Sequence, residues 1–284
     1  MADFFATLHK ILSAQPIAIK LALISELSAE LSVAKPFVFD HDAGVIPVGP
    51  PGYEGCCEIV HGSQVERRRN LDSIPGRAVF LHAIAHIEFS AIDLALDSCY
   101  RFRHLPPQYY EDWLRVAFDE ARHFSMLRKL LLELGHDYGA FPVHTGIYDA
   151  MARSTTSVRQ RMAATHRHLE AGGLDAHPEL ARKIAQFNDP FALKIAAALD
   201  IIYHDEIGHV YAGDFWFRYA CGAGGKSTTV FAEDVRAAIP GVRIGRKQMN
   251  TEARKLAGFT DSELAELSGN NDSHGLPAVS AAEP

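Results

Sequence analysis

Strand-like alternation is nearly absent from this 284-residue chain, which excludes sheet-based folds and leaves an all-α reading. No Gly-rich nucleotide fingerprint is present, so any electron donor is expected to be external. Cysteine is scarce. Cys56, Cys57, Cys99 and Cys221 form no Cys-x-x-Cys pair, and adjacency makes Cys56 and Cys57 an awkward couple for a mutual bridge. Reduced thiols in a cytosolic protein are the expectation. No secretory signal opens the chain, because Asp3, Lys10 and Lys20 interrupt its apolar segments, and no run reaches the unbroken length of a membrane helix. A cytoplasmic protein with no membrane partner follows. Positive charge is not in excess either: the formal net charge of -7 gives no pull toward nucleic acid or anionic membrane. One basic stretch, Arg153, Arg159, Arg161 and Arg167, reads as a solvated helix face.

What is present is helical periodicity. With 48% hydrophobic and 22% charged residues, the chain can bury a sizeable core. Residues 1–35 show amphipathic spacing that Pro16 divides into two short helices. From Pro36 to Pro75, proline and glycine indicate an irregular stretch packed along a surface. Long helices are predicted over Gly76–Phe102, Gln108–Leu134 and Ile147–Ala171, the third ending at Gly172-Gly173. A shorter segment over Pro178–Phe187 and a last long helix from Pro190 to about Ala220 follow. After the Gly222–Gly225 break, modest helices are expected at Asn250–Leu256 and Asp261–Ser268, then a disordered tail from Asn270. Four long helices with short connections argue a bundle over residues 76–221, flanked by N-terminal (1–75) and C-terminal (222–284) extensions.

A glutamate and a histidine three positions apart on a helix share one face and can both reach a metal ion in a core. The chain contains four such Glu-x-x-His strings, so the string alone says little. Glu58/His61 lies in the Gly/Pro-rich stretch without a helix to align it. In Glu133/His136, Gly135 ends the helix, and Glu133 lies about 220° around from Glu120. Both read as surface pairs. The other two replace core positions in apolar seams: Trp113, Val116, Glu120, His123, Leu127, Leu130; and Leu199, Ile202, Glu206, His209, Gly213, Trp216. Burying carboxylate and imidazole there is costly unless a metal ion compensates. Glu88 is inserted alone into the seam Leu81, Ile84, Ala91, Ala95, while His82 and His86 fall off that stripe and read as packed or supporting residues. In the third helix Glu170 lies beside the stripe Val158, Met162, Leu169, with His166 and His168 as rivals and an exposed helix-end role for Glu170 as the alternative. Chain order is then Glu, Glu-x-x-His, Glu, Glu-x-x-His, the single glutamates 82 residues apart (88 to 170) and the pairs 86 apart (120 to 206). That is the donor set of a bundle holding two ions.

The motifs Asp119-Glu120-Ala-Arg-His123 and Asp205-Glu206-Ile-Gly-His209 resemble those of the ferritin-like di-iron carboxylate superfamily. The stretches HAIAHIEFSAIDLALD (82–97), DEARHFSML (119–127), EAGGLDAHP (170–178) and DEIGHVYAGDFWF (205–217) are similar to one bacterial branch, a ferritin-like domain-of-unknown-function family. The resemblance covers residues 70–220, and more loosely the helix KLAGFTDSEL (255–264). It implies a dinuclear iron site, with manganese as the alternative, on Glu88, Glu120, His123, Glu170, Glu206 and His209. It also implies that Asp119 and Asp205 each accept a hydrogen bond from the histidine of the opposite motif, an i to i+4 contact within one helix being the other arrangement. The activity it implies is oxidation or hydroxylation of a small substrate by oxygen or peroxide. Ferroxidase or iron handling ranks second, because the added segments suit a single bundle or a homodimer better than a shell. A metal-stabilised interaction protein is the non-enzymatic alternative. Tyr203 reads as a packed core tyrosine rather than a radical site.

Overall fold

Proline, glycine and short polar caps place the helix ends. The computed structural model describes residues 2–34, 36–66, 68–222, 228–245 and 248–269. Two short helices, α1 (Phe4–Leu12) and α2 (Ile17–Ser32), are separated at Pro16 as expected. The fully buried Lys20 donates to the Leu12 carbonyl and to Asp93, anchoring α2 to the core. A two-residue parallel pairing of β1 (Ala2–Asp3) with β2 (Phe37–Val38) is a minor addition to an otherwise mostly helical fold. The irregular segment that follows is stitched at Ile59 to Val143.

Helix α3 (Ile74–Arg101) starts where Ser73 Oγ accepts the Gly76 N–H at 3.2 Å, with Pro75 in the first turn. Gly76 is needed there, since a Cβ would lie 2.1 Å from the Asn70 carbonyl oxygen. Contrary to the sequence expectation, α3 is long and apolar enough to cross a membrane, but 89% of its most apolar window is buried inside the protein. It packs most extensively on α4 (Pro107–Glu133), which ends before Gly135 in the left-handed region (φ +80°). The last long helix, α8 (Pro190–Cys221), begins at Asp189, whose carboxylate accepts from the N–H groups of Phe191 and Ala192. The same carboxylate takes both ends of the Arg77 guanidinium, joining the starts of α3 and α8.

The third helical stretch differs from expectation. It is divided into α5 (Gly146–Arg153) and α6 (Val158–Arg161), with Ser154 between them buried and bonded to the α5 carbonyls. From Met162 to Glu170 the backbone widens into a π-helix, then continues without a stop as α7 (Ala171–Ile184). Gly172-Gly173 therefore does not end the helix, and Pro178 lies inside it rather than at its start. Proline cannot donate to the carbonyl four residues back, and that carbonyl, on Leu174, accepts from Asn250 Nδ2 at 3.4 Å instead. The supplier sits just before α10 (Thr251–Leu256), which Arg254 clamps to Asp175 in α7.

The basic stretch is a solvated face only in part: Arg153 is exposed, but Arg161 and Arg167 are buried. Arg161 is 0% exposed and bonded to Asp97, Ser98 and Ser154; Arg167 is 2% exposed and bonded to Asp214 and Glu263. Arg159 pairs with Asp234 on α9 (Thr228–Ala238), a helix the sequence reading did not anticipate. Helices α10 and α11 (Asp261–Ser268) lie where expected, and the tail beyond Gly269 falls outside the described residues.

Candidate metal centre

The seams of α3, α4 and α8 bring Glu88, Glu120, His123 and Glu206 together, with one donor atom from each within 4.8 Å of the others. His123 Nδ1 faces Glu88 Oε2 at 3.1 Å and Glu120 Oε2 at 3.6 Å. His209 Nδ1 mirrors it, 3.1 Å from Glu120 Oε1 and 3.7 Å from Glu206 Oε1. Glu120 thus lies between the two imidazoles, one carboxylate oxygen toward each.

The other ring nitrogens are held from outside the pocket. His123 Nε2 lies 2.9 Å from Asp205, and His209 Nε2 lies 3.5 Å from Asp119, so the contacts cross between α4 and α8 rather than running along one helix. Arg122 closes this arrangement by donating to Asp119 at 2.9 Å and to Asp205 at 2.7 Å. Sequence reasoning missed Arg122. Its signal is an asymmetry between the motifs, for the second has Gly208 where the first has Arg122. An imidazole that donates Nε2–H to an aspartate presents a lone pair at Nδ1. Here that lone pair would face carboxylate oxygens at about the distance of a hydrogen bond, an arrangement that a proton or a metal cation between them makes favourable.

Glu170 is brought into the same buried region but is not one of the clustered four. Its Oε2 lies 2.8 Å from His166 Nδ1, one turn back across the π-helix. His166 is fully buried, packs against Trp113 with ring centroids 3.9 Å apart and planes tilted by 33°, and fits because position 213 is glycine, where a Cβ would lie 2.4 Å from that of His166. His82 and His86 turn away from the pocket: His82 Nε2 accepts the Gly139 N–H, and His86 bonds Tyr138 and the His144 carbonyl. Glu58 and His61 lie at the surface, and Glu133 pairs with Lys194 outside the core.

Burial dominates the electrostatics. It pushes the Glu88 carboxyl up to about 8, with Glu120 adding to the effect, and the Glu170 carboxyl up to about 7; Glu206 is raised for the same reason. Burial would lower His123, but Glu120 and Glu88 outweigh it and raise the imidazole to about 10. Burial likewise opposes protonation of His209, yet Asp119 and Glu120 raise it. His166, without such partners at both nitrogens, is driven well below its ordinary value by burial.

Both Glu120 oxygens, one oxygen each of Glu170 and Glu206, His209 Nδ1 and His166 Nε2 are buried with no hydrogen-bond partner. Leaving so many polar atoms unmatched in one place costs on the order of 1–3 kcal/mol apiece. Protons on the two histidines balance two of the four carboxylates, and Glu88 and Glu170 are left to hold protons of their own unless a cation takes their place. The donor set fits a metal ion: oxygen-rich, with imidazole, and without thiolate.

Comparison with known proteins adds no named activity. An uncharacterized protein of Haemophilus influenzae is 42% identical over 208 residues, 69% of either chain. No solved structure matches. Residues 9–265 match the family described as "Protein of unknown function (DUF455)", and the chain belongs to that family.

Proposed function

We propose that this chain is a ferritin-like four-helix-bundle protein that holds two iron ions and oxidises or hydroxylates a small organic substrate, with manganese as the alternative metal. The helices of that bundle are α3, α4, the π-helix with α7, and α8. The observation that carries the reading is Glu120, fully buried between two histidines with both oxygens unpaired. One ion would be held by Glu88, Glu120 and His123, the other by Glu120, Glu206, His209 and Glu170. Bound iron would supply electrons for reducing oxygen or peroxide, to be replenished by an external donor.

The chain's own residues have definite tasks in this reading. Asp205 and Asp119 hold the Nε2 protons, keep each imidazole in one tautomer, and raise the basicity of the nitrogen facing the pocket. Arg122 neutralises both aspartates and fixes their separation, since each of its contacts comes from a different helix. His166 orients Glu170 through the contact of its Nδ1 with Oε2. Leu127, Ile202 and Trp113 line the same seams and keep water from the carboxylates.

The reading is tested by loading the chain anaerobically with ferrous iron and exposing it to air in a sealed oxygen electrode. Oxygen uptake in proportion to protein, abolished in Glu120→Ala, supports it. Iron bound without any oxygen uptake would leave a metal protein and remove the oxidoreductase.

A further inference from the structure

Cys56 and Cys57 lie away from the Glu/His pocket and take no part in it. Adjacent residues on extended backbone send their side chains to opposite sides. Here the backbone curls instead: the N–H groups of Cys56 and Cys57 both donate to the Tyr53 carbonyl, at 3.1 and 2.9 Å. The curl turns both side chains the same way and brings the two Sγ atoms to 3.7 Å.

The turn is clamped from below. The Cys56 carbonyl packs so tightly on Gly139 (φ +101°) that a Cβ there would come within 2.4 Å of it. Gly139 is fixed by its N–H bond to His82, and Tyr138 by its bond to His86, which gives the two α3 histidines a task the metal pocket does not. The thiols are unequal in access: Cys56 is exposed and Cys57 buried. They are unequal in acidity as well. The hydrogen bond with Cys57 holds the Cys56 thiol below its ordinary value despite partial burial, and Arg128 adds to this; the same contact and burial push Cys57 up. An exposed, acidic thiol beside a buried, protonated one is the arrangement of an attacking and a resolving cysteine.

We propose that Cys56–Cys57 is a hydroperoxide-reactive dithiol in which Cys56 attacks and Cys57 resolves. The Cys56 thiolate attacks one oxygen of the hydroperoxide, the O–O bond breaks, and the leaving alkoxide or hydroxide takes a proton to depart as alcohol or water. Cys56 then carries S–OH. Cys57 gives up its proton and attacks that sulfur, the S–O bond breaks, and the departing hydroxide takes the proton to leave as water. Two thiols lose two electrons in total, and one hydroperoxide is reduced by two. Bond formation brings the sulfurs from 3.7 Å to bonding distance and closes the eight-membered ring that adjacency imposes, so the oxidised turn is the strained and readily reduced form.

The test uses the reduced full-length chain, chelator-treated and iron-loaded in parallel, given one equivalent of hydrogen peroxide before alkylation and peptide mass analysis. Cys56 and Cys57 should lose alkylation together in a peptide about 2 Da lighter, in both preparations, while the half-buried Cys221 and buried Cys99 remain labelled. Cys57→Ser should accumulate a sulfenic acid at Cys56 that dimedone traps, and Cys56→Ser should oxidise at least about tenfold more slowly at Cys57. Cys56 that keeps its alkylation as Cys221 does would overturn the proposal. So would oxidation confined to the iron-loaded sample, or no trapped sulfenic acid in Cys57→Ser. Because chelator-treated protein is included, failure of the iron centre leaves this test intact.

Discussion

Two regions of the interior bury charge, and they solve the problem in opposite ways. Around the arginines, every carboxylate has a guanidinium: Asp97 lies against Arg161 and Arg101, Asp214 against Arg167 and Arg218, and Glu263 against the same two arginines. In the glutamate pocket, carboxylates face imidazole nitrogens and one another, and oxygens are left without partners. The first region is complete as folded. The second leaves buried oxygens and nitrogens unmatched, and a cation could complete it. Burial of charge alone therefore does not mark a functional site; burial without satisfaction does.

Removing one carboxylate from each region should move stability in opposite directions. Asp97→Ala leaves Arg161 charged and unpaired in the core, and chelator-treated protein should lose about 3–5 kcal/mol in denaturant unfolding. Glu120→Gln removes a fully buried charge whose oxygens face imidazole nitrogens at 3.1 and 3.6 Å but make no hydrogen bond. The same experiment should show a gain of about 1–3 kcal/mol, together with loss of metal binding. A loss of stability in Glu120→Gln would mean that the glutamate pocket is satisfied without a cation, and the distinction would collapse.

The regions should also titrate oppositely. Glu88, Glu170 and His123 have raised folded-state values of about 8, 7 and 10, so the folded chain binds more protons than the unfolded one. The stability they contribute is fully present below their unfolded values and is lost as pH rises through 7 to 10. Glu263 goes the other way. Burial opposes its ionisation, but Arg167 and Arg218 hold it at about 2, so its contribution is present above its unfolded value and is lost as pH falls toward 2. Melting temperatures of chelator-treated protein should therefore fall on the alkaline side for the pocket, a fall that added metal removes. Glu263→Gln should flatten only the acid limb.

The smallest stability effect belongs to Arg122, which is half exposed. Arg122→Ala should change unfolding by no more than about 1 kcal/mol. Its effect on metal retention against a competing chelator should be larger, about tenfold or more, because it steadies the aspartates behind both histidines. Equal retention in Arg122→Ala would make the arginine a surface ion pair and nothing else.

Glu88, Glu120, His123, Glu206 and His209 were legible because each interrupts an apolar seam at helical spacing, a pattern that belongs to one helix at a time. What joins different elements was not. Arg122 lies 83 residues from one of its partners, and the Arg161–Asp97 pair links α6 to α3, so neither contact has a local signal, and Arg161 reads in the sequence as part of a solvated face. The third helix failed for a related reason. Gly172-Gly173 and Pro178 are local stop signals, and tertiary contacts from Asn250 and Arg254 override them. The π-helix that sets His166 against Glu170 has no composition signal of its own, and α9 was obscured by the glycine run before it.

The most direct test is metal analysis of protein purified from iron-replete cells, alongside the Glu120→Ala/Glu206→Ala double variant. The account predicts near two iron or manganese ions per chain in the natural protein and almost none in the variant, with both folded by circular dichroism. Protein that stays folded but binds no metal, even after anaerobic reconstitution, would contradict it.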